Sequence, residues 1–228
     1  MNYISKLMLC LGLLMPMLTM GQTHTPASFG SYKEDFLSKI DFPDINEGNP
    51  LTIKCAGRIT DRGKFDTIIC LDDANFDGDK EISRNTGSEI AKVTESIRVN
   101  PARVDGRRVE VWYNFSVVFQ VVNGAQQVDL VDNHFRNSDS YGEEYIAAQR
   151  YNGDLSSCIS SLRGAVFMQA SISEGGEVQS VTPMGNNSSG GGCTDRLMED
   201  MQQSTYIPAF FDGNPVASTY VEIFTGTN

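Results

Sequence analysis

The chain has 228 residues, 40% hydrophobic and 21% charged, an ordinary globular composition with room for one large domain or two small ones. Its formal net charge of −11 argues against nucleic acid and anionic lipid surfaces as partners, because both repel an acidic chain.

The elements follow in chain order. Met1 to Lys6 carries one positive charge, Leu7 to Met20 is almost wholly apolar, and Thr19 and Gly21 are small residues at a plausible cleavage point. This is the layout of a secretory signal peptide over residues 1–21. The apolar run is shorter than the ~20 residues of a spanning helix, and Pro16 interrupts it, so retention as an inner-membrane anchor is the lesser alternative. Cys10 follows Leu7-Met8-Leu9, which is no lipoprotein pattern. Cys55, Cys70, Cys158 and Cys193 remain after export. Four cysteines allow three disulfide connectivities, and pairing within each half of the chain is the simplest.

A helix is expected over Lys33–Ile40. Leu51–Ile59 and Phe65–Leu71 alternate as strands about an Asp61-Arg62-Gly63-Lys64 turn. A two-residue loop would set Cys55 against Cys70, whereas a bulge at Gly63 would put them on opposite faces. Both readings stand. The Asp73–Glu81 loop has the alternating Asp/Asn and the glycine that begin a calcium loop. Arg84 occupies the place of the bidentate glutamate, so a solvated acidic loop is the expectation and calcium the alternative. Ile90, Val93 and Ile97 line one helix face, with Thr86 or Ser88 as cap. Pro101 to Gly106 is a turn, and Val109–Val122 a long aromatic strand. Residues 123–150 read as a polar connector with a short helix at Glu143–Arg150.

The second half repeats this order: a helix over Leu155–Leu162, strands Ala165–Ile172 and Glu177–Thr182, a Ser/Gly loop, a helix with Leu197, Met198 and Met201 on one face behind a Thr194 cap, and a last strand Val216–Thr225. Pro101, Ala102, Asp105, Gly106 and Val109 recur as Pro208, Ala209, Asp212, Gly213 and Val216 at one constant spacing. Cys158 and Cys193 can pair without geometric objection. The expected fold class is α+β: two tandem modules, 22–122 and 151–228, each a small antiparallel sheet of hairpin plus last strand packed by helices.

The second module resembles the C-terminal domain of the TonB family of energy transducers. The likeness rests on the hairpin Gly164 to Val178, the Ser188-Ser189-Gly190 loop, and Pro208-Ala209 with Asp212-Gly213 before the last strand. It implies a periplasmic protein that binds peptide segments of outer-membrane transporters, or of other envelope proteins, by adding them as a strand, with a possible link to TonB-dependent transport. It places the binding edge at Ser218, Thr219, Tyr220, Val221, Glu222, Ile223 and Phe224, and a counterpart at Val111–Phe119. The family's Ser-x-x-x-His anchor pattern and Pro-rich spacer are missing, which argues against force transmission. The alternative is a structural or assembly protein of the envelope whose modules form a homodimer. Catalysis is not expected: His24 and His134 fall in no metal or triad spacing, Ser188-Ser189 reads as a turn, and Trp112 and Tyr113 read as sheet packing. No cofactor or metal is expected.

Overall fold

The structure is a computed structural model that describes residues 22–131, 145–153, 157–185 and 192–226. The signal-peptide expectation, His134 and Ser188-Ser189 lie outside them. The first half runs β1 (His24–Thr25), a 3-10 turn at Gly30–Tyr32, α1 (Lys33–Leu37), β2 (Leu51–Ile59), β3 (Phe65–Leu71), α2 (Lys80–Ser96), β4 (Arg103–Val104), β5 (Arg107–Arg108), β6 (Val111–Val122) and β7 (Ala125–Val131). The second runs β8 (Tyr145–Ile146), β9 (Gln149–Tyr151), a 3-10 turn at Ser157–Ser161, β10 (Ala165–Ile172), β11 (Val178–Pro183), α3 (Gly192–Gln203), β12 (Thr205–Ile207), β13 (Ala209–Phe211), β14 (Asn214–Val216) and β15 (Ser218–Thr225).

The expected pair of small hairpin-plus-strand sheets is corrected. The described residues form four sheets. One has six strands: β12-β9-β6-β2-β3 in order, with β7 also on β6. The other three have the orders β11-β10-β15, β1-β4-β5 and β14-β13-β8. The reason lies in β6. It is longer than the β2 it pairs with, and its second border takes β7 through Ser116↔Val131 to Val122↔Ala125, and β9 at Trp112↔Arg150. Residues 123–150 are thus no simple connector. Asn123 and Gly124 both have positive φ (52° and 76°), the two-residue turn that matches strand twist, and it closes the β6–β7 hairpin. The short helix expected at Glu143–Arg150 is replaced, where described, by β8 and β9.

The sequence repeat has a structural counterpart in the strand registers. Cys55 faces Phe115 across β2 and β6, as Met168 faces Glu222 across β10 and β15. The His24–Ser28 segment meets Asn100–Val104, as Tyr145–Gln149 meets Ile207–Phe211. Gly63 and Gly176 sit at matching hairpin turns with φ of 71° and 82°. A Cβ there would lie 2.2 Å from the Val99 carbonyl oxygen and 2.3 Å from that of Tyr206. Asp105-Gly106 and Asp212-Gly213 each have positive φ and turn β4 into β5 and β13 into β14.

The helices bury matching faces. α2 hides Thr86, Ile90 and Thr94, and α3 hides Cys193, Leu197 and Met201. Gly87 faces the sheet, where a Cβ would make ordinary contact with Ile53 Cγ2 and Cys70 Cβ at 3.8 Å. The cap of α2 is Asp79, whose carboxylate accepts from the Glu81 N–H at 2.9 Å. Thr86 and Ser88 lie within the helix and donate to the carbonyls four residues back. Thr194 likewise lies inside α3, and its buried hydroxyl has no partner among the described residues. One core gathers Phe29, Phe36, Phe65, Tyr113 and Phe115; a second gathers Met168, Leu197, Met201, Tyr206 and Tyr220. Among the described residues no helix is long and apolar enough to cross a membrane.

Candidate functional site

The two last strands differ in what lies along their borders. β6 has β2 on one side and β7 and β9 on the other, so Val111–Phe119 is not an open edge. β15 pairs with β10 from Ile172↔Ser218 to Ala165↔Thr225 and ends its sheet's order. Ser218 and Thr219 are half-buried, but Tyr220, Val221, Glu222, Ile223 and Phe224 are all buried. The side-chain amide of Asn114, on β6, donates to the Val221 carbonyl. Asn114 and Val221 occupy equivalent places in the two halves, so the halves touch there through their own counterparts.

Glu222 does not point at an edge; it is half of an ion pair in the interior. Arg150 Nε donates to its Oε2 at 2.7 Å, and Nη2 donates to Oε1 at 2.5 Å. Both side chains are about 1% exposed. The Tyr220 hydroxyl donates to Glu222 Oε2 at 2.8 Å, and the Arg150 guanidinium lies 5.6 Å from the centre of the Trp112 ring. Burial disfavours the charged form of Arg150, but the Glu222 carboxylate outweighs it through charge and hydrogen bonds, and the arginine's pKa is raised. Burial, then the Glu222 charge, push the Tyr206 and Tyr220 hydroxyls upward, so they stay protonated donors. Gly153 is required beside the pair: a Cβ there would lie 2.3 Å from Arg150 Nη1.

A groove of about 380 Å³ opens above this pair, at the start of β6. Its walls are Arg58, Glu110, Trp112, Arg150, Tyr151 and Asn152, with others. Arg58 is fixed by Asp66 at 2.6 Å, and Glu110 stands 3.9 Å away. On that border β6 meets β9 at Trp112↔Arg150, and β9 ends one residue later at Tyr151. The groove therefore combines an aromatic face, a fixed guanidinium and a carboxylate. Among the described residues that line it there is no nucleophile–base pair.

The cysteine pairs are Cys55–Cys70 and Cys158–Cys193. Both alternatives weighed for the first hairpin hold in part. Ile59 does face Phe65, but an extra residue on β3, Asp66, shifts the register so that Arg58 faces Thr67 and Cys55 faces Cys70. In the Asp73–Glu81 loop, the Lys80 ammonium donates to the carbonyls of Phe76 at 2.8 Å and Ala74 at 3.2 Å, and reaches Asp73's at 3.4 Å. The Asp73 carboxylate accepts from the N–H groups of Thr52 and Asn75. The chain's own cation thus fills the loop, and among the described residues no cluster of His, Cys, Asp or Glu is arranged for a metal.

The ion pair had a signal in the sequence. Glu222 interrupts an otherwise apolar run, Tyr220-Val221-Glu222-Ile223-Phe224, at a position whose neighbours two residues away, Tyr220 and Phe224, face the core. A charge at an inward strand position needs an opposite charge. Nothing in the local pattern names Arg150 as that partner. Compared with family models, curated proteins and solved structures, the chain gives no match.

Proposed function

We propose that the protein is a periplasmic binding protein that takes extended segments of outer-membrane transporters or other envelope proteins, and that it acts by recognition rather than catalysis. The observation that carries this reading is the groove at the start of β6, where the Trp112 ring lies with a guanidinium held by Asp66 and the Glu110 carboxylate. A segment seated in the groove sets an apolar side chain on Trp112 and meets Arg58 or Glu110 with its polar groups. The buried border of β15, with its Asn114 contact, is less suited to this role. Two disulfides support an oxidising compartment, and the sequence resemblance to the TonB family supports the choice of partner.

Titration calorimetry with synthetic transporter-derived segments tests the reading. Trp112→Ala is expected to weaken binding at least about tenfold, roughly 1.4 kcal/mol. Equal affinity in wild type and variant rejects the groove as the site.

A further inference from the structure

A second groove, of about 420 Å³, lies beside the first hairpin turn, and its charge is opposite to that of the chain. Arg62, Arg98, Arg103 and Arg108 line it with Tyr32 and Asn100, and among the described residues its wall contains no carboxylate. Among the described residues, no Asp or Glu stands within 4 Å of any of the four guanidiniums. The described ion pairs use Lys33, Lys39, Arg58, Arg84 and Arg150 instead. Asp105 is near in sequence, but its carboxylate accepts from the Thr23 N–H at 2.9 Å. Arg103 gives one N–H to the Gly106 carbonyl at 2.9 Å, which fixes its direction.

The repeat supplies an internal control. The second half has a groove of about 330 Å³ that overlaps the matching place at Gly175, Thr205 and Tyr206, the counterparts of Arg62, Arg98 and Val99. Among the described residues no arginine lines it. By the registers above, Arg98, Arg103 and Arg108 correspond to Thr205, Phe210 and Pro215, and Arg62 to Gly175. The turn and its strands therefore form without cations, and folding does not demand the arginines. Four like charges around one concavity repel one another, and an anion seated among them removes that repulsion. The net charge of −11 does not cancel this field, since exposed charges beyond about 8 Å are largely screened at physiological salt.

We propose that this groove binds a small soluble anion carrying two or more phosphate or carboxylate groups. Guanidinium forks suit such oxyanions because they pair with them two-pronged. Tyr32, among the most exposed of the large apolar residues at 39%, offers a hydroxyl or ring to the rest of the ligand.

The test is calorimetric titration of the full chain with inorganic pyrophosphate and, separately, citrate, at low and physiological salt. The inference expects saturable one-site binding of at least one probe, weaker at higher salt, and reduced at least about tenfold in Arg62→Gln/Arg108→Gln. Arg163→Gln/Arg196→Gln removes the same charge from exposed sites on the other half and should leave binding unchanged. Failure of both probes to saturate overturns the inference, as does equal weakening by the two double variants. Co-sedimentation with phosphatidylglycerol vesicles without binding of either free anion also overturns it, since the site would then serve a membrane.

Discussion

The two halves of the molecule solve one packing problem with opposite chemistry. At the crossing of the entering segment and the last strand, the first half places Phe29 against Phe115, edge to face with ring centres 5.3 Å apart. The second half places Arg150 and Glu222 in the corresponding positions. Tyr113 and Tyr220 are also equivalents, but Tyr113 packs among rings while Tyr220 donates to Glu222. The same backbone therefore accepts an aromatic cluster or a buried ion pair. An ion pair is a poor source of stability, because desolvating two charges costs about what their attraction returns. Its presence beside Trp112, at the floor of the groove, is understandable if a held guanidinium fixes the ring for a ligand.

The largest expected effect breaks that pair on one side. Glu222→Leu leaves the Arg150 charge buried and unmatched and should destabilise by about 3–5 kcal/mol, read by urea denaturation. The double variant Arg150→Phe/Glu222→Phe copies the first half's solution and should recover most of that loss while weakening segment binding. A double variant as unstable as the single one would show that the halves are not interchangeable.

The next effect sharpens the match at the hairpin turns. Gly63→Ala and Gly176→Ala each force a positive φ on a side chain and press it on a carbonyl oxygen, at 2.2 and 2.3 Å. Each should cost at least about 2 kcal/mol, and the two losses should agree within about 1 kcal/mol, by thermal unfolding. A marked inequality would separate the two turns.

The smallest effect comes from β1. Burial lowers the pKa of His24, with the Asp105 charge opposing it. The unfolded chain then binds a proton more readily than the folded one. This contribution to stability is complete above the ordinary histidine value of about 6.5 and is lost as pH falls below it. His24 corresponds to Tyr145 in the second half. His24→Tyr should remove that part of the acid sensitivity, and the His24 ring protons should titrate below about 6.5 by NMR. A midpoint above that value would contradict the burial.

Much of the local structure was legible in the sequence. The two hairpins, the two long helices, both Asp-Gly turns and the within-half cysteine pairs follow from periodicity, turn chemistry and count. β7 was not read, although Asn123-Gly124 between alternating residues is a strong hairpin signal; the polar residues beyond it masked the strand. β8 and the link to β9 carry Tyr145-Ile146-Ala147-Ala148, too short an apolar run to separate helix from strand by period. The union of β9 and β12 with β6 lay beyond reach, because pairing between halves leaves no local trace. The same holds for the groove at Trp112, whose ring alone looks like sheet packing until Arg150 is placed beside it.

Trp112 is the chain's single tryptophan, so its fluorescence reports on that groove and nothing else. The central claim is that this groove receives an extended segment. Titrating the protein with transporter-derived peptides should give a saturable change in emission whose midpoint equals the calorimetric affinity. Saturable binding by calorimetry with unchanged emission, or no binding of any such peptide, would contradict it.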